Sequence, residues 1–123
     1  MSHFTRVKTQ LRDMEVVKRA LADLGYIVGE GEVRGYANQV ATAEFVVKMD
    51  GGFDIGFRKD NGLVTMVADM WGLKINRDEF LSKLAQRYAY LTILDQAAQQ
   101  GWQVAGEEIQ EDGSVRLVMQ RWN

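Results

Sequence analysis

Two periods of hydrophobic and polar residues take turns along this chain. Over residues 4–11, Thr5, Val7, Thr9 and Leu11 alternate with Arg6, Lys8 and Gln10, which predicts a strand. Met14, Val17, Leu21 and Leu24 then recur at three- and four-residue intervals, the apolar stripe of a packed helix. Asp13 stands at the N-cap position of that helix. Gly25 stands where a left-handed residue ends a helix without steric cost, and Tyr26 can fold back on its last turn.

Period-two alternation returns in the middle. Residues 27–36 are glycine-rich and predict a bent or bulged strand. Over 42–49, Ala43, Phe45, Val47 and Met49 point inward, and Asp50-Gly51-Gly52 supplies a tight turn. Phe53, Ile55 and Phe57 alternate with Asp54 and Arg58. Asn61-Gly62 marks a second hairpin, leading to 63–70 with Val64, Met66, Ala68 and Met70 toward the core. Next comes a long helix: Asn76 and Glu79 have capping-box spacing, and Ile75 and Phe80 can close a hydrophobic staple. Phe80, Leu81, Leu84, Tyr88 and Leu91 form its stripe, and Gly101 ends it. Two last strands, 102–110 and 114–122, flank Asp112-Gly113.

The order β-α-β-β-β-β-α-β-β, with tight turns between neighbouring strands, predicts an α+β fold. It would be a two-layer sandwich: one mainly antiparallel sheet with two helices on one face, in a single domain spanning 1–123. The opposite face would then be open. Alternation assigns to it Arg6, Lys8, Glu44, Val46, Lys48, Asp54, Arg58, Thr65, Val67, Asp69, Arg116, Val118, Gln120 and Trp122. Such a mixture reads either as a solvated face carrying valines that suit strands, or as a partner surface in which charge rims an apolar strip. On the second reading, charge reversal at Arg58 and Arg116 weakens a partner and leaves folding intact.

Composition narrows the chemistry. The chain of 123 residues has one histidine, no cysteine and no proline, which leaves zinc, thiolate and Ser-His-Asp chemistry almost nothing to use. Disulfides and redox thiols are excluded. A net charge of −2 argues against nucleic-acid binding driven by a global positive field. No apolar run approaches the ~20 residues that cross a bilayer. The start of the chain carries no apolar secretion segment, so a soluble, non-exported protein is expected.

Short motifs fail at the residues that would do the work. Gly29-Glu30-Gly31-Glu32-Val33-Arg34-Gly35 resembles a dinucleotide loop, yet strand-like residues follow it and two glutamates sit where phosphate would approach. Arg34-Gly35-Tyr36-Ala37 matches the start of an RNA-binding aromatic strand, but Asn38 and Ala41 replace the stacking aromatics. His3 has the spacing of an amino-terminal metal motif only while Met1 is retained. Asp69, beside Trp71 and Gly72, could act as an acid or base with Arg87, Tyr88 and Tyr90 nearby. The ordinary reading is an aspartate that pairs with an arginine or caps a turn. Gln120-Arg121-Trp122 could pack on a sheet edge or anchor another protein.

Several segments together carry a wider likeness: Ser2-His3-Phe4-Thr5, Val33-Arg34-Gly35-Tyr36, Gly52-Phe53-Asp54-Ile55-Gly56-Phe57, Ala68-Asp69 with Trp71-Gly72, Gln86-Arg87-Tyr88-Ala89 and Gln120-Arg121-Trp122. Over nearly its whole length the chain resembles the cyanobacterial and algal-plastid family of hypothetical chloroplast reading frame thirty-five, a conserved domain of unknown function. The resemblance implies a cyanobacterial cytoplasm or plastid stroma. Relatives in other bacteria tend to be encoded near an AAA-type ATPase and a small ferredoxin-like protein, so the resemblance also implies an assembly or accessory role; it supplies no catalytic residues. The expectation is a non-enzymatic protein without cofactors that acts through protein contacts. The candidate binding residues are Arg34, Tyr36, Arg58, Asp69, Trp71, Arg87, Arg116, Arg121 and Trp122. Two alternatives stand beside it: a small-molecule or enzymatic pocket between helix and sheet around Asp69, Trp71, Arg87 and Tyr88, and a self-associating structural protein.

Overall fold

Local turn and cap chemistry sets most of the element boundaries. The computed structural model describes residues 4–121, so His3 and Trp122 lie outside the described residues. Its strands are β1 Phe4–Lys8, β2 Val28–Gly29, β3 Glu32–Arg34, β4 Val40–Thr42, β5 Phe45–Val47, β6 Ile55–Asp60, β7 Leu63–Asp69, β8 Trp102–Ile109 and β9 Val115–Arg121; its helices are α1 Met14–Asp23 and α2 Arg77–Gln99. At the N-terminus of α1 the Asp13 carboxylate accepts from the Glu15 and Val16 N–H groups at 3.0 and 3.2 Å. The Asn76 side chain accepts from Glu79 N–H at 2.9 Å to open α2. Asn61 and Gly62 take φ of +51° and +80°, as a two-residue hairpin between right-twisted strands requires.

The main sheet has the order β1-β7-β6-β5-β2, with every neighbouring pair antiparallel. Both helices cover one face of it. Val17, Ala20 and Leu21 of α1 and Phe80, Leu84 and Leu91 of α2 pack on Phe45, Val47, Ile55, Phe57, Val64, Met66 and Ala68. Each large side chain buried there contributes roughly 2 kcal/mol relative to exposure. The Tyr88 hydroxyl accepts from Asp13 N–H at 3.1 Å, and Arg19 grips Asp95 with two hydrogen bonds of 2.8 and 3.3 Å, tying α1 to α2. The α+β class, the main antiparallel sheet and the shared helix face match the sequence prediction.

Three expectations are corrected. Residues 27–36 form two short strands rather than one, because the chain turns at Gly31 (φ +125°) and leaves the main sheet. The last two strands form their own two-stranded ribbon, with an irregularity between Val104 and Gly106. Apolar residues lie all round α2, and on its second side Trp102 and Met119 of the ribbon line a shallow depression together with Ile93 and Ala97. Arg116 and Val118 therefore do not share a face with Arg58.

The third correction concerns the sheet face opposite the helices, which is not open throughout. The β3–β4 hairpin lies across it and buries Val33, Val46 and Val67. Gly56 makes this possible: a Cβ there would stand 2.2 Å from Val33 Cγ2 and 2.8 Å from Ala43 Cβ. Glycine inside a strand often marks such a close approach of another segment.

Candidate functional site

Two buried carboxylates, Asp54 and Asp69, pin the β3–β4 hairpin to the sheet. Asp54 is fully buried. It accepts from Arg34 Nε at 2.7 Å, Arg34 Nη2 at 2.8 Å, Arg34 N at 3.1 Å and Met49 N at 3.2 Å, and Lys48 Nζ stands 3.7 Å away. Burial pushes this carboxyl up, but the Arg34 guanidinium and the Arg34 and Met49 N–H groups outweigh it and hold it below the usual carboxylate range. Asp69 accepts from Tyr36 N at 3.0 Å and Trp71 N at 3.2 Å. Between these anchors Gly35 lets the chain pass close to Phe4, where a Cβ would lie 2.8 Å from the ring. Ala37 then takes φ +55°, a left-handed conformation that costs a residue with a Cβ about 1 kcal/mol or more.

The result is an exposed aromatic group on a braced support. Trp71 is 68% and Tyr36 46% exposed, with ring centroids 5.1 Å apart, edge to face. Phe53 lies tilted against Trp71 at 6.3 Å, over Gly72, where a Cβ would collide with its ring. Beside them a cleft of about 640 Å³ is lined by Met49, Asp50, Gly51, Phe53, Trp71, Gly72, Leu73, Lys74 and Ile75. Its walls are mainly apolar, with one ammonium and one carboxylate at the rim. This arrangement can bind an apolar or aromatic group. Both Asp69 oxygens accept backbone N–H groups, so this carboxylate braces the support of the aromatic group. Among the described residues no three His, Cys, Asp or Glu side chains gather as metal ligands.

Of the residues singled out in the sequence, Arg34, Tyr36, Asp69 and Trp71 meet here. Arg87 and Tyr88 do not: Arg87 Nε bonds Asp23 at 3.0 Å and its guanidinium covers the Tyr90 ring at 4.3 Å, while Tyr88 caps α1. The pocket expected around Asp69, Trp71, Arg87 and Tyr88 is therefore not formed. Arg58 pairs with Asp60 at 3.1 Å on the main sheet. Arg116 is exposed on the ribbon, 4.0 Å from Glu108, and Arg121 lies over Trp102 at 5.4 Å. Phe53, Leu73 and Lys74 were not singled out in the sequence. Gly72 is the one sequence signal for them, a residue whose missing side chain seats a ring.

The family described as Protein of unknown function (DUF1257) matches residues 20–118. This chain belongs to that family. It is 37% identical to the uncharacterized protein ycf35 of Guillardia theta, over 99% of this chain and 98% of that protein. It is 35% identical to the ycf35 protein of Pyropia yezoensis, over 100% and 99%, and 36% identical to that of Cyanophora paradoxa, over 99% and 98%. The DUF1257 match covers residues 20–118, and the alignments with the ycf35 proteins extend over 99–100% of the chain. No solved structure matches the chain. Among the described residues no helix is long and apolar enough to cross a membrane.

Proposed function

We propose that this member of the family is a non-enzymatic accessory protein that binds another protein through the Phe53–Trp71 cleft and the adjoining Tyr36 ring, in a plastid stroma or cyanobacterial cytoplasm. The observation that carries this reading is Trp71: a tryptophan 68% exposed at the edge of a preformed apolar cleft. Tryptophan, tyrosine and arginine dominate the energetic centres of interfaces. A support already fixed by Asp54 and Asp69 spares a partner the entropy of ordering it. An apolar side chain of the partner would enter between Phe53 and Trp71, with an acidic neighbour beside Lys74. The AAA-type ATPase and the ferredoxin-like protein implied by the family resemblance are the first partners to test.

The test compares the native chain with Trp71→Ala. Co-purification from the native host should return a specific protein that then binds the purified chain directly. Trp71→Ala should lose that binding with its thermal midpoint within about 1 °C of the parent, since an exposed ring contributes little to folding. Recovery of the chain alone across a range of salt, or equal binding by the variant, would overturn the proposal.

A further inference from the structure

The part of the second sheet face that the β3–β4 hairpin leaves uncovered is basic. Thr65 lies in its centre, with Arg58 opposite it on β6 and Lys8 opposite it on β1. Neighbouring strands stand about 4.8 Å apart, so two long cationic side chains flank one short residue. Arg6 lies two residues from Lys8 on the same strand and the same face. Together with Asp60 and Asn61 these residues line a depression of about 400 Å³. Among the described residues that line it, Asp60 alone carries negative charge, against three cations, in a chain whose net charge is −2.

The cations are not consumed by the protein. Arg6 and Lys8 form no ion pair among the described residues, and Arg58 commits its Nε alone, to Asp60. The floor supplies the second observation. Thr65 is 3% exposed, and its buried Oγ1 has no hydrogen-bond partner among the described residues. A buried hydroxyl without a partner is unfavourable and rare in folded proteins. Here it lies beneath three cations.

We propose that Arg6, Lys8, Arg58 and the Thr65 hydroxyl form a binding site for a phosphate group, carried as inorganic phosphate or as a small phosphate monoester. Its oxygens accept from both guanidinium groups, from the Lys8 ammonium and from Thr65 Oγ1–H. A tetrahedral dianion offers oxygens in enough directions for four converging donors, and a planar carboxylate offers fewer. The site lies on a different part of the molecule from the aromatic cleft and stands or falls independently of it.

Titration of the ¹⁵N-labelled chain with sodium phosphate, at ionic strength held constant with chloride, tests this. Saturable shifts should centre on Arg6, Lys8, Arg58 and Thr65. Lys8→Gln, an exposed change, should weaken binding about ten-fold, the usual scale for one charge-assisted hydrogen bond, without moving the thermal midpoint. Thr65→Val, of similar shape, should weaken binding to a similar extent and raise the midpoint, because the partnerless hydroxyl is gone. A structural threonine would not link those two effects. Glycerol phosphate separates the sources: tighter binding than phosphate indicates an esterified ligand, and equal or weaker binding indicates the free anion. Linear shifts that chloride reproduces, or undiminished binding by both variants, would overturn the proposal.

Discussion

Gly56 decides what happens to one side of the sheet. It occupies the outward position of β6 between Asp54 and Arg58, opposite Val46 and Val67, and its missing side chain is the slot that Val33 fills. Gly56→Ala places a methyl group 2.2 Å from Val33 Cγ2, so it should destabilise the fold by roughly 1–3 kcal/mol, the usual range for overpacking. In a Val33→Ala background the same change should cost clearly less. Urea unfolding of the double-mutant cycle measures that coupling, and strict additivity would mean that the two residues do not meet. The residue-scale signal was visible in the sequence, as a glycine inside an alternating strand. Which segment would approach it was not, because a short pattern carries no information about distant partners. Asp54 and Asp69 were obscure for the same reason. Alternation placed them correctly on the second face, but their burial follows from Arg34 and Tyr36, thirty-three or fewer positions away.

At the scale of elements, the features that read correctly are those settled within a few residues. Asp13, Asn76, Gly25 and Gly101 bound the helices, and Asn61-Gly62 and Asp112-Gly113 turn the hairpins, because caps and tight turns are local chemistry. The β8–β9 ribbon read correctly as a hairpin and incorrectly as part of the main sheet. Its position depends on which surface of α2 remains bare after Phe80, Leu84 and Leu91 have met the sheet. Beyond its own ladder the ribbon is tied to the rest of the chain by Tyr90 Oη to Glu107 at 2.8 Å and the Gln86 amide to the Gly113 carbonyl, among other contacts. Ile109 on it is 74% exposed. Elements with so little buried apolar contact open locally before the whole fold does. Native-state hydrogen exchange should therefore find β6 and β7 amides protected near the global limit and ribbon amides exchanging on the order of 100-fold faster. Equal protection across both would show that the ribbon unfolds only with the main sheet.

The whole molecule is a sheet with helices on one side and a small hairpin locked to part of the other, and the lock is electrostatic as well as apolar. That gives stability a pH dependence traceable to one group. The folded-state pKa of Asp54 is held below the ordinary carboxylate value, because the Arg34 guanidinium and two backbone N–H groups overcome the cost of its burial. The folded state thus binds this proton less readily than the unfolded chain. The stabilisation is fully present above the ordinary carboxylate pKa and is lost as pH falls through the lowered folded-state value. Asp54→Asn removes the charge and turns an amide donor toward Arg34, so at pH 7 it should destabilise by roughly 2–3 kcal/mol. Asp95 and Asp112 are also held low, by Arg19 and by Ser114 respectively; both remain in the variant and cancel in the comparison. Urea midpoints of parent and variant should therefore converge as pH falls from the ordinary carboxylate pKa through the lowered folded-state value of Asp54. A gap that stays constant down to pH 2 would show that Asp54 acts by shape alone, and the hairpin would then be held by Val33 in its slot rather than by charge.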